Sequence, residues 1–165
     1  HFPVRAVELL DTDAPFVTMT VLRDPIDRTL SFLRHQGQRN QRGANADTPL
    51  VEIYEDPFRF GAMIQNHMTR MLSLTPQEMG PGDGVLTSVP YDAERLDMAK
   101  EALAGADLVA CEDTRRGLDT GEPTRSNTTE PTEVDPGFLD RIAEDNALDV
   151  ELFEYACQLY EERHP

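Results

Sequence analysis

Arg23 and Ser31 are the residues whose types and spacing come nearest to a binding chemistry. Arg23 directly follows the apolar, β-branched run Phe16-Val17-Thr18-Met19-Thr20-Val21-Leu22 and precedes Asp24-Pro25, so it is expected at the carboxyl end of a buried strand. Ser31 then falls about two turns up the helix that Asp24-Pro25 opens. A guanidinium gives a charged, forked donor and a hydroxyl a short neutral one. Beside a helix start, in an α/β sheet whose ligands bind at the carboxyl edge, that pairing suits a phosphate. The same residues also read as an ordinary helix opening, with Arg28 pairing an acid such as Asp24. Spacing alone leaves both open.

The other reactive groups are less pointed. His35 is expected at a helix C-terminus, where the dipole favours positive charge. His67, between Asn66 and Met68, is a candidate for facing a substrate cleft, and His164 belongs to the tail. No two histidines have metal-ligand spacing, so no metal site is expected. Lys100, the single Lys, reads as part of a solvated helix face. Cys111 and Cys157, far apart in sequence, read as small buried residues and not as a disulfide or metal site. Glu112-Asp113 and Asp11/Asp13 read as surface or capping charges.

Stepping these groups into position requires a strand over 16–22, covered on both faces because it is continuously apolar or β-branched. Asp24 as N-cap and Pro25 as first helical residue start a helix to about His35, burying Ile26, Leu30 and Leu33. Gln36 to Pro49 is expected to be a loop. A second helix is expected from about Pro57 to Leu74 with Ile64, Met68, Met71 and Leu72 on one stripe. Gly80 to Gly84 reads as a turn cluster, Tyr91 to Ala104 as a helix closed by Gly105, and Ala106 to Cys111 as a short buried strand. Residues 117–136 read as loop; Asp135-Pro136 restarts helix, and a last helix spans about Leu148 to Arg163. The order β-α-α-α-β-α-α predicts an α/β layer on a small parallel sheet.

The chain has 165 residues with 15 basic and 31 acidic side chains, a formal charge of −16. That size fits one domain. The acidity argues against nucleic acid or anionic membranes as partners and requires a local basic pocket for any anionic cosubstrate. Almost all basic residues are Arg, which suits a GC-rich bacterial genome. No apolar run approaches the roughly 20 residues of a membrane span, and none resembles a signal peptide. A chain starting at His1 rather than Met is read as a piece of a longer one, and a reducing cytoplasm is the expected compartment.

Taken together, Arg23, Pro25, Arg28, Ser31 and Phe32 resemble, position by position, the 3′-phosphate-binding segment of sulfotransferases that use 3′-phosphoadenosine 5′-phosphosulfate (PAPS). The likeness is to the carbohydrate 2-O-sulfotransferase type and its bacterial relatives. Three further segments are similar to that family: Asn66-His67-Met68-Thr69-Arg70, the late strand Asp107 to Glu112, and the terminal helix from Asn146 through Asp149 and Leu152 to Ala156. These are read as reporting packing, as is Arg28.

The resemblance implies a P-loop NTPase-like α/β fold with a central parallel sheet. It implies transfer of a sulfonate group from PAPS to a hydroxyl of a carbohydrate or other alcohol, without a metal. Arg23 and Ser31 would hold the 3′-phosphate. His1, in His1-Phe2-Pro3 about fifteen residues before the strand, would be the catalytic base, and a neutral imidazole with a pKa near ~6.5 suits deprotonation of an alcohol. One departure stands out: no Gly-x-x-Lys-x-Gly-x-Thr-like run for the 5′-phosphosulfate is present in the sequence. The chain is therefore read as a single partial domain over 1–165 that lacks the N-terminal strand-loop-helix. The alternatives are an inactive nucleotide- or glycan-binding remnant, or another P-loop phosphotransferase of the nucleotide-kinase kind.

Overall fold

Two parallel strands and the helices packed on them form the scaffold for Arg23. A computed structural model of the chain describes residues 17–41, 48–78, 89–112 and 134–164, with backbone alone for 38–41 and Glu112. Strand β1 is Met19–Arg23 and β2 is Leu108–Glu112, paired in parallel with Met19 opposite Leu108 and Arg23 opposite Glu112. The register is set at the strand entrances. The Asp107 carboxylate accepts from the Thr18 amide (2.7 Å) and hydroxyl (2.8 Å), and the Asp107 amide donates to the Thr18 hydroxyl (3.1 Å). The expected α/β architecture with a small parallel sheet is present, helix-rich, with two strands among the described residues.

One face of the sheet is covered and the other, among the described residues, is partly open. Leu22 and Val109 are buried beneath the helices; on the other face Ala110 is buried, whereas Val17 (76 % exposed), Met19 (65 %), Val21 and Leu108 lie open. The expectation of a strand covered on both sides is therefore corrected. An unbroken apolar run cannot distinguish two covered faces from one among the described residues.

Asp24 starts helix α1, Pro25–Gln41: its carboxylate accepts from the Ile26 amide (2.9 Å) and the Asp27 amide (3.0 Å). Leu30 and Leu33 are buried on its inner face, with Ile26 partly buried beside them. The helix runs past His35 to Gln41, not into loop at Gln36, because Gln and Arg are good helix formers and no proline intervenes. Next come α2, Leu50–Tyr54, and α3, Pro57–Arg59, which passes into a π-helical turn over Phe60–Ile64.

The single helix expected over Pro57 to Leu74 is broken. Asn66 adopts a left-handed conformation (φ 45°), and α4, His67–Ser73, begins anew after it. The apolar stripe splits accordingly. Ile64 joins Leu30, Leu33, Ile53, Tyr54, Phe138 and Ile142 in one cluster, while Met68 and Leu72 join Leu22, Leu96, Leu103, Val109 and Leu152 in another.

Helix α5 is Ala93–Gly105, capped by the Asp92 carboxylate accepting from the Arg95 amide (3.0 Å). At its far end Arg163 donates to the carbonyls of Ala104 and Ala106. Gly105 keeps an ordinary helical backbone and the chain leaves through Ala106, so the glycine is not a left-handed cap. Asp135 caps α6, Pro136–Asp145, through the Phe138 amide (3.1 Å), and α7, Ala147–Arg163, follows after Asn146. The turn cluster expected at Gly80 to Gly84 and most of the loop expected over 117–136 lie outside the described residues.

Candidate functional site

Arg23 is the last residue of β1, half-buried, at the carboxyl edge of the sheet and in register with Glu112. Asp24 follows and Ser31, also half-buried, lies on α1 about 9 Å along the helix axis from Pro25. Arg23 and Ser31 thus stand on consecutive elements that meet at the Asp24 cap. The helix start between them is not open to an anion. The Asp24 carboxylate already takes the Ile26 and Asp27 amides and brings its own negative charge. Recognition of a phosphate here would rest on the two side chains and not on the helix terminus. His1 lies outside the described residues.

Arg28 does not pair with Asp24 but turns inward, donating from Nη1 to the Met63 carbonyl (3.1 Å) and from Nη2 to the Ile64 carbonyl (3.0 Å). Arg70, almost fully buried, donates to the carbonyls of Gly61 and Gln65. Two guanidiniums thereby satisfy carbonyls that the broken helix leaves without an intrahelical donor.

Beside them lies a buried polar node that spacing alone did not disclose. The Asn66 Oδ1 accepts from the Leu148 (3.1 Å) and Asp149 (3.3 Å) amides at the start of α7. The Asp149 carboxylate accepts from the Met68 (3.0 Å) and Thr69 (2.8 Å) amides at the start of α4. The Asn66 amide donates to Asn146 Oδ1 (2.9 Å), whose own Nδ2 donates to the Ile142 carbonyl (2.8 Å). Each helix start is capped by a residue of the other. Burial pushes the Asp149 carboxyl up from its ordinary range, while the Arg28 charge and the two accepted amides pull it back down. The Asn-x-x-Thr-Arg and Asn-x-x-Asp patterns were visible in the sequence. Their pairing across about 80 residues was not.

His67 is partly buried, its Nδ1 3.2 Å from the Ala62 carbonyl. Burial, reinforced by the Arg28 and Arg70 charges and opposed by the Ala62 contact, lowers its pKa to about 3, so the ring is neutral near pH 7. His35 is exposed within α1, not at its end, and His164 stacks on Tyr160. Lys100 reaches Glu151 at 2.6 Å, joining α5 to α7 at the surface. Glu78 pairs with Arg95 and accepts from Thr75, which holds its carboxyl down at about 2.

Cys111 and Cys157 are brought together as neighbours: both are free thiols and half-buried. Among the described residues no three His, Cys, Asp or Glu side chains are grouped to hold a metal ion, and no helix is long and apolar enough to cross a membrane. No family model, curated protein or solved structure matches the chain.

Proposed function

We propose that the chain is a sulfotransferase-type domain with a P-loop NTPase-like fold. In this reading it recognises the adenosine 3′-phosphate of PAPS through Arg23 and Ser31 and directs sulfonate transfer to a hydroxyl of a carbohydrate or other alcohol. The observation that supports it is the position of Arg23, ending a parallel strand immediately before the Asp24-capped helix that carries Ser31. A guanidinium and a hydroxyl on such consecutive elements suit one phosphoryl group. With the α1 amides taken by Asp24, these two side chains would provide the donors.

PAPS, when bound, supplies the sulfonate group. The protein's part is to orient the donor by the phosphate contact and to remove the acceptor proton. The second task falls to His1, whose neutral imidazole would accept the hydroxyl proton at a ring nitrogen. Arg28 has a different part, fixing α1 and hence Ser31 against the π-helical turn. The reading extends to a cytoplasmic setting.

A second reading, binding without transfer, is favoured by one observation: no Gly- and Lys-bearing loop for the 5′-phosphosulfate occurs in the 165 residues. Titration calorimetry with adenosine 3′,5′-bisphosphate and with ATP, followed by transfer assays on sugar acceptors, separates the possibilities. Tighter binding of the bisphosphate than of ATP is expected; the reverse order overturns the reading in favour of a kinase-like protein. Bisphosphate binding without transfer selects the second reading. Arg23→Ala should weaken the bisphosphate by about 1.5–3 kcal/mol, the range for hydrogen bonds to charged groups. Unchanged affinity in a folded variant would remove Arg23 from the site.

A further inference from the structure

We propose that Cys111 and Cys157 are a redox modification site, closing to an intramolecular disulfide by exchange with a small disulfide of the glutathione type and reopening with thiol. Cys111 lies on the covered face of the sheet, in register with buried Leu22, and α7 packs directly on β2 there. Cys157 follows buried Ala156 on α7. Neither thiol is committed elsewhere as a disulfide, and the two side chains are neighbours. Closing the bond brings the sulfurs to about 2 Å.

Either thiol can open the exchange, Cys157 for instance. Its thiolate bonds to one sulfur of glutathione disulfide, the glutathione S–S bond breaks, and one glutathione leaves as thiolate. Cys111 then gives its proton to a base in solution and attacks the Cys157 sulfur, expelling the second glutathione. Two protein thiols are oxidised and one glutathione disulfide is reduced to two glutathiones. The product fastens the carboxyl end of β2, one residue before the Arg23–Glu112 register pair, to the middle of α7.

The test incubates the full chain, folded and non-denatured, with glutathione disulfide, followed by intact mass, thiol titration and peptide mapping. The expected product is monomeric and two hydrogens lighter. It joins the peptides that carry residues 111 and 157, has no titratable thiol and is restored by dithiothreitol. Cys111→Ser should trap glutathione on Cys157, and Cys157→Ser on Cys111, because neither variant can close the internal bond. Separate glutathione adducts on both cysteines, disulfide-linked dimers, or two unreacted thiols in the parent chain would each overturn the proposal, whatever the variants do.

Discussion

Arg28 and Arg70 show how a charged side chain can be drawn into structure. Each donates to backbone carbonyls around the π-helical turn. His67, beside them, is held neutral near pH 7 by burial and by the same positive charges. Its pKa, depressed to about 3 in the folded chain, carries a definite sign. The unfolded imidazole takes a proton near pH ~6.5 while the folded one does not, so its effect on stability is absent above that pH. As pH falls from there towards 3 it becomes an increasing penalty of at most about 1.4 kcal/mol per unit. Urea unfolding at pH 7 and pH 5 should therefore show the parent losing about 1–2 kcal/mol more than His67→Gln, which retains a donor for the Ala62 carbonyl. Equal losses would mean that His67 protonates in the folded chain.

At the scale of elements, the decisive arrangement is the exchange of caps between α4 and α7. Helix starts carry unsatisfied amides, and here two helices remote in sequence satisfy each other's, with Asn66 and Asp149 as the donated groups. Asn66 has a second duty, because its φ of 45° turns the chain between the π-helical turn and α4. Asn66→Ala should cost about 2–3 kcal/mol, combining the lost cap with a left-handed backbone that alanine resists. Asn66→Gly should recover about 1 kcal/mol of that, since glycine accepts the backbone but not the capping role. Denaturant midpoints for the two variants check this ordering; an alanine variant no weaker than the glycine one would show that the backbone angle carries no cost.

For the whole molecule, the dominant fact is charge. Thirty-one acidic side chains face 15 basic ones, and Arg28 and Arg70 among the latter are turned inward. The folded state gathers that negative charge into a smaller volume than the unfolded chain, so it repels itself more. Screening shortens to a few ångströms as salt rises. The thermal midpoint should climb between about 0.05 and about 0.5 M NaCl, more than it does on adding an equal osmolality of sucrose. A midpoint that stays level or falls would place the main salt sensitivity in attractive pairs such as Lys100–Glu151 and Arg95–Glu78.

By itself the sequence determined the parts governed by neighbours in the chain. Asp24-Pro25, Asp135-Pro136 and the apolar spacing of Leu30 and Leu33 specified helix starts and a buried face, because capping and periodicity act over a few residues. The resemblance of the Arg23–Ser31 segment was likewise local. Only the tertiary structure decided that the middle helix breaks at Asn66 against Asn146 and that two distant thiols become neighbours. Each of those outcomes depends on a partner tens of residues away, and burial creates a demand for that partner which no local pattern records.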